Sequence, residues 1–516
     1  MITAMEQIDF ILKQGAKNGM SLSKFIALQI EEFKQSPQYK EMIIGSKYYK
    51  NEGDVKNKQR TYIDENGQEQ VSPHAKNYQL NHSILHKLIN QKTGYLVRER
   101  PTIKQTIEEG QKEDNGYQRE IKGIFNEKMH KRLKYTVNEI TKRAITWWQV
   151  YIDKNGEFKT RLRYGTRIVP IWKDEEHEEL DAIIMFYDVE VYTDNGNKET
   201  KTKVEYYDED GVRYYIYEGN DLIQDIEEVE KRNHLILGKD TEGVSILGHF
   251  EINDTPKIWN KGIPFIYFKY NAEELPLIHF LKNLIDCYDE LCSITGDSIF
   301  EAPEGVDIVK NYDEEVETFK KNLKTYGSIF MGPDGEYDRV NITLNIDAFK
   351  VFIEQLRKDI YEGGSGVDTQ SEKFGTQISG VALKQLYSDL DLDCSNIETE
   401  LKSSLQHFKG FFDEWIIIKD NKDYSDIELE WIFNKTMTVN EKEIIENCNN
   451  SINVLSRKSI LANHPYVTNV EAELKNIKDE KEEEQAELDS EYNKLFKKMN
   501  NKNNNIENTK VGDVNE

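Results

Sequence analysis

The apolar positions of this chain recur with different periods in different stretches, and the order of those stretches predicts its architecture. Ile8, Ile11 and Leu12, then Phe25, Ile26, Ile30 and Phe33, fall every three or four residues, which predicts helix over roughly the first 45 positions. From 147 to 270 the period becomes two. Trp147 to Tyr151 and the run from Phe158 flank Asn155-Gly156. Val189, Val191 and Thr193 lead to Asn195-Gly196, and Val204 and Tyr206 lead to Asp210-Gly211 and Tyr214. Asn-Gly and Asp-Gly readily supply the positive φ angles of tight hairpins, so an antiparallel meander is expected here. Its tyrosines and valines suit a half-buried pleated surface.

Helical spacing returns after 271. Leu277, Leu281, Leu284, Tyr288 and Leu291 form a near-heptad stripe on a helix over about 273–300, with Asp286, Asp289 and Glu290 elsewhere around the cylinder. A compact insert starts at Ala302-Pro303. Within it, 314–324 reads as a helix with Val316, Phe319 and Leu323 on one face. Strands are expected at 328–331 and 337–344, about the turn Pro333-Asp334-Gly335. About 40 residues cannot bury a large core alone, so the insert should lean on a neighbour. A second helix over about 347–361 offers Phe349, Phe352, Ile353, Leu356 and Ile360 to the first, then stops at Gly363-Gly364-Ser365-Gly366. After a polar loop, a third helix opens at Ser379, a plausible N-cap, and runs towards Trp415. One more strand (426–433) and several short helices (437–477) follow. Beyond Lys478 the composition turns to Glu and Lys, then to Lys and Asn, which predicts disorder after Met499.

Charge and composition narrow the function. The 516 residues suffice for several domains; 37% are hydrophobic and 31% charged. No apolar run approaches the ~20 residues of a membrane helix. Met1 to Lys13 shows no basic region followed by an apolar core, so no secretory signal is expected and intracellular assembly is the default. A net charge of −26 opposes non-specific gripping of nucleic acid, which needs clustered Lys and Arg. For a wall along which DNA slides, the same repulsion is an advantage. Four scattered cysteines (Cys287, Cys292, Cys394, Cys448) make no disulfide framework and read as reduced thiols.

Catalytic chemistry is hard to find. The glycine-rich 363–366 lacks a following Gly-Lys-Ser/Thr and a preceding strand, so it reads as a helix C-cap and flexible connection and not as a phosphate cradle. His82 and His86 have metal-sharing spacing on a helix, but no glutamate follows His82 and a packed or solvated pair is the plainer reading. Asp188 with Glu190, and Asp208 with Asp210, sit beside turns where acids serve solubility and turn formation. No catalytic residue, metal ligand or cofactor is assigned.

Two further stretches complete the picture. Tyr48-Tyr49 precedes the polar turn Asn51-Glu52-Gly53-Asp54, and Asn81 to Leu96 ends in Gly94-Tyr95-Leu96 with Pro101 shortly after. Together with the helix–insert–helix–loop–helix order, they resemble the portal proteins of tailed bacteriophages, in the branch typical of siphophages of Gram-positive hosts. The resemblance runs from about Tyr39 to Ile477. Where that family follows Gly-Tyr-Leu with glycine, lysine and proline, this chain has Val97-Arg98-Glu99-Arg100-Pro101.

The resemblance implies a multidomain α+β portal fold with long stem helices, an antiparallel β-rich wing, a small α/β clip and a helical crown, assembling as a ring. Mapped on this chain, it implies an N-terminal helical arm (1–45), the wing (46–270, β-rich from about 147) and the first stem helix (271–301). The clip (302–342), second stem helix (343–362) and tunnel loop (363–378) follow. A long wing helix (379–418), a wing strand (419–438), the crown (439–478) and a charged tail (479–516) complete it. Gly364, Ser365, Gly366, Val367, Asp368, Thr369, Gln370, Ser371, Glu372 and Lys373 would form the DNA-channel loop, with Lys373 its one cation. Leu277, Leu281, Leu284, Tyr288, Leu291, Phe352 and Leu356 would pack the stem. Implied partners are further copies (a dodecamer), double-stranded DNA, the terminase large subunit, major capsid and scaffolding proteins and a head-completion or neck adaptor. No membrane is implied. The implied place is the portal vertex of the virion, after assembly in the host cytoplasm. A metal-dependent nuclease or hydrolase with a β-rich domain, or a non-viral multidomain scaffold, is the alternative.

Overall fold

The computed structural model describes residues 21–72, 75–106, 114–153, 155–192, 195–219, 221–226, 228, 234, 238–239, 245–247, 250–251, 259–301, 306–311, 315–326, 331, 333–340, 346–370, 384–435, 441–452, 454–467 and 470–507. Residues 1–371 and 387–436 form one compact unit, and 372–386 with 437–516 a second. The first unit mixes helices and antiparallel sheets, an α+β arrangement.

Helix α1 (Leu22–Gln35) buries Phe25, Ile26, Ile30 and Phe33 as their spacing predicts; Ile8, Ile11 and Leu12 lie outside the described residues. Ser36 separates α1 from α2 (Pro37–Tyr49). Its hydroxyl donates to the Phe33 carbonyl at 2.7 Å and accepts the Tyr39 N–H at 3.1 Å, so one residue closes one helix and opens the next. An exposed ribbon of β1 (Thr61–Ile63) and β2 (Glu69–Val71) precedes α3 (Ile84–Leu96), β3 (Thr102–Gln105), α4 (Asn115–Ile124) and α5 (Glu127–Arg143).

The period-two region forms its hairpins but is not one meander. β4 (Ile145–Ile152) pairs with β5 (Phe158–Tyr164) across the Asn155-Gly156 turn, where Gly156 takes φ +77°. The chain then leaves this sheet at Gly165, where a Cβ would lie 2.5 Å from the Ile145 carbonyl oxygen; only glycine permits so close a crossing. A second sheet runs in sequence through β6 (Ile168–Trp172), β7 (Leu180–Tyr192), β8 (Lys198–Asp208), β9 (Gly211–Glu218) and β10 (Asp221–Gln224). Short strands β11 (Gly238–Lys239), β12 (Ser245–Leu247) and β13 (Phe250–Glu251) make a third. β14 (Phe265–Lys269) returns to flank β4, which becomes a central strand. Neighbouring residues of β4 therefore face two different layers. Trp148 donates to Thr136 of α5 at 2.8 Å and packs on Phe268 and Phe408, while Trp147 packs on Trp172 and Tyr267.

Helix α6 (Leu277–Glu301) leads into the insert of β15 (Val306–Lys310), α7 (Val316–Tyr326) and β16 (Glu336–Val340). The expected helix is present, with Phe319 buried, and β16 pairs with β15. Met331 is not in a strand, and 327–330 lie outside the described residues. The Lys310–Glu336 ion pair (2.7 Å) sits at one end of the ribbon. Helix α8 (Ile346–Gly363) returns, and α9 (Ser388–Asp420) buries Leu390, Cys394, Ile397, Leu401, Leu405, Phe408, Phe412 and Trp415, a helical stripe along its length. The expected start at Ser379 lies outside the described residues. β17 (Leu429–Ile432) matches the last predicted strand and pairs with β3, more than 300 positions earlier.

In the second unit, α10 (Glu441–Asn450) and α11 (Arg457–Ala462) are the expected short helices. Helix α12 (Val470–Glu507) runs past Met499, where disorder was expected, and 508–516 lie outside the described residues. Its Glu, Lys, Gln, Ala and Leu are strong helix formers, and pairs such as Lys478–Glu482 at i, i+4 add to them. Few apolar residues weaken a packed core, but they do not oppose an isolated helix. Among the described residues, no helix is long and apolar enough to cross a membrane.

Candidate functional site

Helices α6 and α8 form an antiparallel pair. Arg357 reaches Tyr288, and seven residues further along α8 a Cβ on Gly364 would lie 3.1 Å from Leu281, seven residues back along α6. Of the predicted packing residues, Leu277, Leu281, Tyr288 and Leu356 are buried. Leu284 and Leu291 are partly covered, and Phe352 is 51% exposed. Ile360, which the pattern of the second helix also offered, is buried, and so are Ile278 and Ile285 of α6, which were not singled out. Each such side chain contributes about 1.5–3 kcal/mol on leaving water.

The polar face of α6 is not a solvated one. Asp297 accepts the Tyr78 N–H at 2.7 Å, Ser293 the Leu80 N–H at 2.9 Å and Asp289 the His82 N–H at 3.1 Å. Four helical residues advance about 6 Å. Two extended residues advance about 6.6 Å, so acceptors every fourth residue meet every second amide of the strap 78–82. The His82 ring also bonds Asp289 at 2.7 Å, and Lys58 pairs with Asp297 at 3.3 Å. Burial pushes the Asp289 carboxyl above the usual range, against the opposing pull of His82.

The loop that leaves α8 begins with a fastened root. Lys87, Leu88, Gln91 and Lys92 share one face of α3 and hold 364–369 in reverse order. Lys92 donates to the Ser365 carbonyl at 3.3 Å. Gln91 grips Val367 on both sides, donating to its carbonyl at 2.7 Å and accepting its N–H at 3.1 Å. Lys87 donates to Thr369 at 3.2 Å. Val367 is buried, and Leu88 fills the space beside the glycines: a Cβ on Gly366 would lie 2.1 Å from it, and one on Gly364 2.8 Å. Arg357 forks onto both oxygens of Asp368 (2.7 and 2.8 Å), holding that carboxyl below its ordinary range. The left-handed residue is Ser365, at φ +46°, so Gly364 and Gly366 serve close approach and not unusual φ. The stretch expected to pack loosely is thus anchored at least through Asp368, with Gln370 donating its N–H to Asp368 at 3.1 Å. Ser371, Glu372 and Lys373 lie outside the described residues.

The remaining candidates are not brought together. His86 lies against Tyr49 (ring centroids 4.5 Å), near its carbonyl at 3.3 Å, while His82 is taken up by Asp289. Asp188 accepts from Thr202 at 2.6 Å, Glu190 pairs with Lys198, and Asp208 pairs with Arg213. Burial pushes the Cys394 thiol up to about 12. Among the described residues, no group of three or more His, Cys, Asp and Glu could hold a metal ion.

Lys92, Gln91, Arg357 and Asp393 were not singled out by the sequence pattern. One signal was available. Leu85, Leu88, Ile89, Tyr95 and Leu96 form the buried stripe of α3, and Lys92 occupies a stripe position. A lysine there needs a carboxylate partner, which the partly exposed Asp393 of α9 supplies at 2.7 Å.

Comparison with known proteins follows the same segments. The family model described as "Phage portal protein, SPP1 Gp6-like" matches residues 31–487. The chain is 28% identical over 488 residues to the portal protein of Bacillus phage SPP1, covering 93% of this chain and 90% of that protein. It is 24% identical over 468 residues to the portal protein of Clostridium phage phiCD119, covering 88% and 95%. A solved chain from the neck of an empty GTA particle, computed with C6 symmetry, overlaps 72% of this chain and 86% of its own at 11% identity. Its TM-score is 0.38, too low to carry fold or function.

Proposed function

This chain belongs to the SPP1 Gp6-like family of phage portal proteins, and on that premise we propose that copies of it close into a ring, twelve in the virion, around a channel for double-stranded DNA. The observation that carries the reading is the span of the family match, which runs through the helix pair, the insert, the loop and the long helix. Exposed Phe300, Val351 and Phe352, on α6 and α8, support packing between copies at this pair, since large apolar side chains gain by leaving water.

In this reading α6 and α8 are the stem helices, 302–342 the clip, 46–270 with 379–438 the wing, and 439–478 the crown. Residues 363–378 form the tunnel loop, whose root 364–370 is fixed and whose later part meets DNA. The chain itself is a structural component of the virion. The ring occupies the portal vertex, nucleates the head with scaffolding and major capsid proteins, docks the terminase large subunit at the clip, and later receives the neck adaptor. Assembly takes place in the host cytoplasm. The net charge of −26 per copy makes the ring strongly acidic and favours sliding over gripping.

Negative-stain imaging of the purified chain tests the ring: closed annuli with a central hole are expected, and monomer alone at all concentrations would defeat it. Replacing 302–342 by a short Gly/Ser linker should leave the β-rich region folded and abolish packaging. Normal packaging by that variant would move the motor contact elsewhere.

A further inference from the structure

Lys92 is a fully buried cation where three segments of the first unit meet. From α3 its ammonium donates to Asp393 on α9 at 2.7 Å and to the Ser365 carbonyl, at the loop root, at 3.3 Å. The Tyr270 hydroxyl lies 3.2 Å from both oxygens of Asp393. Burial and that carboxylate push the hydroxyl's pKa well up, so it remains a donor. Cys394 closes the site, its thiol 3.9 Å from the Lys92 carbonyl. An ammonium removed from water is held only while its acceptors stay in place, so each partner fixes the others.

The other clamps on the root act differently. Gln91, Lys87 and Leu88 join it to α3, and Arg357 joins it to α8. Lys92 joins it to α9 as well. Ser365 and Asp393 lie on either side of 371–383 in the sequence, and one ammonium bonds both.

We propose that Lys92 and Asp393 form a coupling joint that makes the loop root and the first turns of the long helix α9 move as one body. A shift of α9 then displaces the loop, and a load on the loop passes into α9. The proposal rests on the channel-ring reading for its purpose, but not for its physical test. Lys92 is a positioning residue; it need not touch DNA.

Hydrogen exchange on the purified full-length assembly, with two contrasting variants, tests the joint. Lys92→Met removes both bonds while filling similar space, and exchange should rise at least tenfold in 364–370 and in 391–397 together. Gln91→Ala should raise exchange in 364–370 and leave 391–397 as in the parent. Asp393→Asn, which keeps the shape of the acceptor, should repeat the two-sided pattern more mildly and carries the test if Lys92→Met does not fold. Exchange rising on one side only, or two-sided loosening by Gln91→Ala, overturns the joint. Rings with a one-sided pattern would leave the channel reading standing without the joint. The two-sided pattern in a chain that never forms rings would leave the joint standing without the channel.

Discussion

The two ends of the α6–α8 pair are built from the same kinds of residues and finished in opposite ways. At the loop end, Leu281, Ile360, Tyr361 and Val367 are buried, two glycines admit Leu88, side chains of α3 hold the backbone at 365 and 367, and Arg357 of α8 holds the Asp368 carboxylate. At the insert end, Ile299, Phe300, Val351 and Phe352 stay exposed, although the helices there are equally apolar. The difference lies in what covers each end. The loop end is completed by α3 from the same chain. Among the described residues nothing comparable covers the insert end, and under the proposed ring another copy would do so.

That contrast can be broken from its strong side first. Leu281→Ala should cost about 2–5 kcal/mol, because α6, α8 and the root all pack around this residue. Urea unfolding measures it, and a loss below 1 kcal/mol would mean the seam collapses easily. Gly366→Ala comes next, at about 1–3 kcal/mol, since the added methyl would lie 2.1 Å from a methyl of the fully buried Leu88, which must then shift.

Arg357→Ala should cost roughly 1 kcal/mol at neutral pH through its fork on Asp368. The Asp368 carboxyl is depressed when folded. Its stabilisation is therefore present above the ordinary carboxylate pKa and lost as pH falls through the depressed value. The parent should lose this increment in acid below about pH 4, and Arg357→Ala should not. Parallel urea midpoints from pH 6 to pH 3 decide between them. Smallest on the single chain is Phe352→Ser, within about 0.5 kcal/mol of the parent in unfolding. If the insert end awaits another copy, that variant should shift sedimentation from rings towards monomer. Unchanged ring formation would show that this end is simply a wet surface.

Legibility divides along the same line. Helices and hairpins followed from spacing: Phe25 to Phe33 and the Asn155-Gly156 turn stand where period and turn chemistry place them. Polar residues with distant partners were not legible. Asp289 read only as lying off the apolar stripe, and Ser293 and Asp297 were not singled out, yet all three are buried under a strap more than 200 positions away. The β3–β17 and β15–β16 pairings are likewise long-range, and short runs such as Val306 to Val309 carry too little alternation to announce themselves. The bonds that fasten 365 and 367, next to the flexible connection read at 363–366, were hidden for a related reason. Backbone groups supply most of the root's bonds, and composition counts side chains.

The strap across α6 also bears on how freely this chain can be rewritten. Asp297, Ser293 and Asp289 recognise the main-chain amides of Tyr78, Leu80 and His82, and an amide is the same whatever side chain it carries. As far as these main-chain contacts go, spelling at 78 and 80 is open to drift and to deliberate editing with one letter barred, whereas the His82 ring adds its own bond to Asp289. Proline, which has no N–H to offer, would unzip the strap wherever it fell on a read position.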